Sequence, residues 1–68
     1  MKEIIFIVEE APEGGFIAKA LGVSIVTQAE TIEELHRCVR DAVNCHFDEN
    51  QGPSLIRLHF TRDEVIAA

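Results

Sequence analysis

The longest unbroken apolar run in the chain is "IIFIV", Ile4 to Val8. It is too short for a helix and rich in β-branched and aromatic side chains, so it predicts a strand that is apolar on both faces. "APEGG", residues 11–15, follows as a turn, with Pro12 fixing one φ and Gly14 and Gly15 free to take positive values. "FIAKAL", residues 16–21, then reads as the returning strand of a hairpin. Its alternation sets Ile17, Lys19 and Leu21 on one face and Phe16, Ala18 and Ala20 on the other. Gly22 breaks the run, and "VSIVTQ", residues 23–28, predicts a third, short strand.

The pattern then changes period. Ile32, Leu35, Val39, Ala42, Val43 and Phe47 recur at helical spacing, and Glu34, Arg37, Arg40, Asp41, Asp48 and Glu49 fill the remaining positions. Thr31 stands where an N-cap belongs. Glu34 follows three residues later to make a capping box, and Glu33 adds a second carboxylate to the first turn. "ENQGPS", residues 49–54, is expected to end the helix, because Gly52 and Pro53 oppose its continuation. "LIRLHF", residues 55–60, alternates cleanly, with Ile56, Leu58 and Phe60 opposite Leu55, Arg57 and His59. "TRDEVIAA", residues 61–68, is too short for a further domain.

The order is therefore β-β-β-α-β, an α+β fold in which one helix covers one face of a small, mainly antiparallel sheet, with residues 1–68 as a single domain. One helix covers one face only. The other face would gather Ile5, Ile7, Ile17, Leu21 and Leu55 around Lys19, Arg57 and His59. An apolar patch of this kind on so small a domain marks an interaction surface, and Ile5, Ile7, Ile17, Lys19 and Arg57 are the residues expected to form it.

Composition sharpens this picture. A chain of 68 residues buries only about 60% of the surface that its unfolded form exposes, and with four Phe and no Trp or Tyr its core is thin. A partner subunit, in a homodimer or larger homo-oligomer, is the expected remedy. Twelve acidic against six basic side chains give a net charge of −6, the wrong sign for holding a phosphate backbone. Nucleic acid is not expected as a direct ligand on this basis, whereas a basic protein partner would be drawn in faster. The N-terminal stretch lacks the apolar core of a secretion signal, and no run approaches the ~20 apolar residues that cross a bilayer. Two cysteines do not make a disulfide framework. A cytoplasmic protein without membrane attachment is expected.

The candidate chemistry is sparse. A phosphate cradle needs a Gly-rich loop that leads into a helix, with Lys and Ser or Thr at its end. Here Gly14 and Gly15 lead into a strand behind Glu9, Glu10 and Glu13, so the hairpin-turn reading stands. Cys38 and Cys45 lie seven apart on one helix, roughly 10 Å along its axis, which is too far for a shared metal ion or a disulfide. Both read as small buried thiols. Nothing in the spacing sets Ser24, Ser54 or either cysteine beside His36, His46 or His59 as a nucleophile needs. Neither a catalytic residue, a cofactor nor a metal site is assigned, and the chain is not expected to be an enzyme.

The stretch "FIVEEAPEGGFIAKALGVSIVTQAETIEELHRCVRDAVNCHF" resembles the HicB-like antitoxin family over nearly the whole chain. Gly14-Gly15-Phe16 and Thr27-Gln28 followed by Thr31, Glu33 and Glu34 carry the resemblance through their order and spacing. It implies a partial ribonuclease H-like fold of the same β-β-β-α-β order, without that enzyme's carboxylate constellation. It also implies a partner: a HicA-type toxin, small, basic and RNA-cleaving, which the chain would bind and neutralise by blocking its RNA site. Family members commonly form dimers or tetramers. The C-terminal DNA-binding domain usual in full-length members has no counterpart in these residues, so operator binding is not expected of them. Glu9, Glu10 and Glu13, at the hairpin tip, are the expected steering groups for such a partner.

Overall fold

The computed structural model describes residues 2–68. Four strands and one helix follow in the order β1 (Glu3–Glu10), β2 (Phe16–Ala20), β3 (Val26–Ala29), α1 (Ile32–His46) and β4 (Leu55–Phe60). They form one sheet in the spatial order β3-β2-β1-β4. The β1–β2 and β2–β3 pairs are antiparallel, and β4 returns beside β1 in parallel. A parallel return needs a long crossover, which α1 supplies.

The turn at Gly14-Gly15 explains its own sequence. Both glycines have positive φ, +103° and +80°. A Cβ on Gly15 would lie 2.7 Å from the carbonyl oxygen of Ala29, so any side chain there would collide with β3. The turn closes through the Ala11 N–H donating to Gly15 O and the Gly14 N–H donating to Ala11 O, each at 3.0 Å.

The third strand begins later than its pattern predicts. Val23 to Ile25 form a loop closed by the Ala20 N–H, which donates to Ile25 O at 2.9 Å. Ile25 is buried from that loop, which is why its apolar signal imitates a strand residue. The helix starts at the predicted place. Thr31 caps it, its Oγ1 accepting from the Glu34 N–H at 3.1 Å, while the Glu34 carboxylate accepts from the Glu30 N–H at 3.3 Å. The box thus closes one residue further back than the standard arrangement.

The helix stops at His46, short of the end expected at Gly52 and Pro53. Phe47 is already extended (φ −106°, ψ 146°), and from that conformation its ring packs against the core. Gly52 has a different task from the predicted one: a Cβ there would come within 3.2 Å of the Phe47 Cβ, so its bareness lets the loop close over the ring.

The core lies between α1 and one face of the sheet. Ile4, Phe6 and Val8 from β1, Ala18 from β2, Ile25 from the loop and Leu35, Val39 and Val43 from α1 are all buried. The helix packs over β3 and β2, to one side of the sheet. Ile56 and Leu58 of β4 are therefore only half-buried, and Phe60 is 47% exposed although it faces the helix side. Its ring meets Phe16 edge-on at 6.2 Å, across the intervening β1. Among the described residues no helix is long and apolar enough to cross a membrane.

Candidate functional site

Alternation along β1 that sends Ile4, Phe6 and Val8 inward sends Glu3, Ile5, Ile7 and Glu9 to the opposite face. The registers complete that face: Ile5 lies beside Arg57, and Ile7 lies between His59 and Lys19. The five residues expected to form an interaction surface, Ile5, Ile7, Ile17, Lys19 and Arg57, thus share one face, and no helix covers it. Ile5, Ile7 and Ile17 are half-buried there, while Leu21, Val26 and Leu55 are 55%, 66% and 61% exposed. Val26, the neighbour of Lys19 in the β2–β3 register, was missed by sequence reasoning because its side depends on where β3 begins.

Arg57 does not stand free on this face. Its Nε donates to Glu3 Oε1 at 2.7 Å and its Nη2 donates to Oε2 at 3.1 Å, a two-pronged pair across the parallel β1–β4 register. The hydrogen bond from Arg57 holds the Glu3 carboxyl below the usual glutamate range, and the guanidinium is raised in turn.

A second region lies at one end of the sheet. Glu9 and Glu10 finish β1, Glu13 sits in the turn, and Glu30, Glu33 and Glu34 surround the start of α1; all are exposed. An open cleft of about 550 Å³ runs between the hairpin turn, the end of β3 and the helix start, with Glu13, Glu30 and Glu34 among its walls. The segment after β4 leaves from this end and brings Asp63 near Glu9 and Glu10 around a smaller recess. Arg62 is the basic residue there, and it is paired with Glu64 at 3.1 Å. The three expected steering residues therefore belong to a wider acidic end, assembled from parts of the chain that are distant in sequence.

The remaining candidates stay apart. Cys38 is half-buried and Cys45 exposed, so the expectation of two buried thiols is corrected: the apolar face of α1 buries Leu35, Val39 and Val43, and Cys45 falls outside that stripe. His36, His46 and His59 are exposed, His46 resting edge-on against Phe47 at 4.9 Å. Ser54 donates its hydroxyl to Lys2 O at 3.2 Å. Among the described residues no three His, Cys, Asp or Glu side chains cluster as metal ligands would, and no polar side chain is buried. What the arrangement offers a partner is an open apolar face and an acidic end.

A UPF0150 protein of Thermotoga maritima is 47% identical to the chain over 66 residues, covering 97% of this chain and 93% of its own. The chain belongs to the UPF0150 family. A UPF0150 protein of Archaeoglobus fulgidus is 54% identical over 52 residues, covering 76% of this chain and 77% of its own. No family model and no solved structure matches.

Proposed function

We propose that this UPF0150 chain is a HicB-like antitoxin, which binds a small, basic, RNA-cleaving protein of the HicA type and silences it by covering its RNA site. The observation that supports this most is the concentration of carboxylates at one end of the sheet, beside an open cleft, in a chain of net charge −6. An RNA-cleaving protein must present positive charge to its substrate, and a concentration of carboxylates competes for that charge. Glu9, Glu10 and Glu13 steer the encounter. No bond is made or broken by this chain, so the proposal needs neither cofactor nor metal, and the setting is the cytoplasm.

The open sheet face supports self-association. Ile5, Ile7 and Ile17, rimmed by the exposed Leu21, Val26 and Leu55, would be covered by a second copy in a homodimer. That face also supports a second reading, a homo-oligomeric module that works without a toxin. The two readings part on the basic partner alone.

The test is co-purification. Tagged chain drawn from its native cytosol is expected to bring down a small basic protein in near-equal amount. Changing Glu9, Glu10 and Glu13 together to Gln is then expected to slow association several-fold at low salt and to flatten its salt dependence. Recovery of the chain alone would favour the module without a toxin, and an unchanged association rate would remove the three glutamates from steering.

A further inference from the structure

The segment after β4 stands off the body. Val65 and Ile66 are 96% and 86% exposed, more than any other large apolar side chain among the described residues. The molecule measures 51 × 20 × 17 Å, with a radius of gyration of 13.3 Å, against roughly 11 Å for a compact chain of this length. The segment is extended like a strand: Arg62 and Glu64, two apart, meet at 3.1 Å, as side chains on the same side of an extended chain do.

A matching vacancy lies on the body. β4 is an edge strand, so its outer hydrogen-bonding groups have no strand partner. Because α1 sits over β3 and β2, a groove of about 390 Å³ opens between the helix and β4, lined by Val39, Ile56, Leu58 and Phe60 with His36 and Arg40 at its margin. This groove is apolar with a basic rim. On the side that strand alternation turns to the groove the segment carries Ile66 and Glu64, together with Arg62, which pairs with Glu64. Ile66 matches the apolar lining, and Glu64 matches Arg40 at its margin.

We infer that the segment Arg62–Ala68 of one copy adds as a fifth strand to the β4 edge of a second copy, setting Ile66 in that copy's groove and Glu64 against its Arg40. Seven extended residues span about 23 Å, enough to run the length of β4. The segment does not serve its own chain in this way. Thr61 is held in line by its N–H, which donates to Val8 O at 2.9 Å, and beyond it Val65 and Ile66 stand 96% and 86% exposed, off their own β4 edge. Alternation carried through Thr61 puts Glu64 and Ile66 on the same side as Ile56, Leu58 and Phe60. A two-fold axis perpendicular to the sheet keeps that side common to both copies, so the exchange is reciprocal and closes. This contact is separate from the open sheet face and does not depend on the antitoxin reading. If a chain uses both contacts, two pairs close into a tetramer when the two axes cross at right angles.

The test uses the whole chain, with isotope-labelled and unlabelled copies mixed in equal amounts. Nuclear Overhauser contacts filtered for different chains are expected between the Ile66 methyls and those of Val39, Ile56 or Leu58. Ile66→Asp, at a residue too exposed to be needed for folding, is expected to erase these contacts and to halve the mass seen by light scattering. Ile66 methyls without cross-chain contacts, contacts confined to one chain, or a mass unmoved by Ile66→Asp would each overturn the inference.

Discussion

Adjacent residues of β1 lead opposite lives. Phe6 is fully buried under α1, while Ile5 and Ile7, one step either side, face outward from a sheet surface with no helix over it. Both faces are apolar. The inner one is completed by the chain's own helix, and the outer one lacks a cover among the described residues, which is the condition that makes a surface available for binding. The difference teaches that the apolar content of β1 serves two purposes, stability on one side and, in the proposed reading, association on the other.

The sharpest way to separate the two purposes is to truncate each side in turn. Phe6→Ala is expected to cost about 3–5 kcal/mol, of the order of the whole stability of a domain this small, so that urea unfolding shows little native protein left. Ile7→Ala, on the outer face, is expected to cost far less in dilute solution. Equal losses would erase the distinction between the faces. Ile5→Glu combined with Ile17→Glu is expected to lower the mass seen by light scattering, and to lower the urea midpoint less than Phe6→Ala does, by the loss that dissociation brings. An unchanged mass would remove the outer face as the surface of self-association.

Smaller effects test how the inner side is framed. Gly15→Ala is expected to cost more than Gly14→Ala. Both carry the roughly 1–2 kcal/mol penalty of a left-handed backbone, but only at Gly15 does the new Cβ meet Ala29 O, at 2.7 Å. Thr31→Ala is expected to lose about 1 kcal/mol with the N-cap. The smallest effect is the exposed Glu3–Arg57 pair on the outer face. Its Glu3 carboxyl is held below the ordinary range, so its contribution is present at neutral pH and fades as pH falls through that lowered value. The difference in urea midpoint between the parent chain and Glu3→Gln should therefore shrink on acidification, and a difference that grew would contradict the assignment.

Much of the fold was legible because local signals agreed with it. "IIFIV", the paired glycines and the Thr31–Glu34 box each carry their cause within a few residues. What escaped was tertiary. Ile25 is buried from a loop and Phe47, half-buried, packs on the core from an extended cap, and hydrophobic periodicity cannot distinguish either from a regular strand or helix position. The expected interaction residues do share one face, since alternation alone decides that. The full acidic end and the groove beside β4 did not show in the sequence, because one requires the turn and the helix start to meet and the other depends on how far α1 sits to one side. Cys45 was misjudged for a similar reason, as the buried stripe of α1 is narrower than its apolar residues imply.

The most direct test of the proposed function is to titrate the purified chain into RNA cleavage by the small basic protein that co-purifies with it. Cleavage is predicted to fall in proportion to added chain and to cease near one equivalent, with Glu9, Glu10 and Glu13 changed to Gln slowing the onset. Cleavage that continued undiminished with the chain in excess would contradict the account.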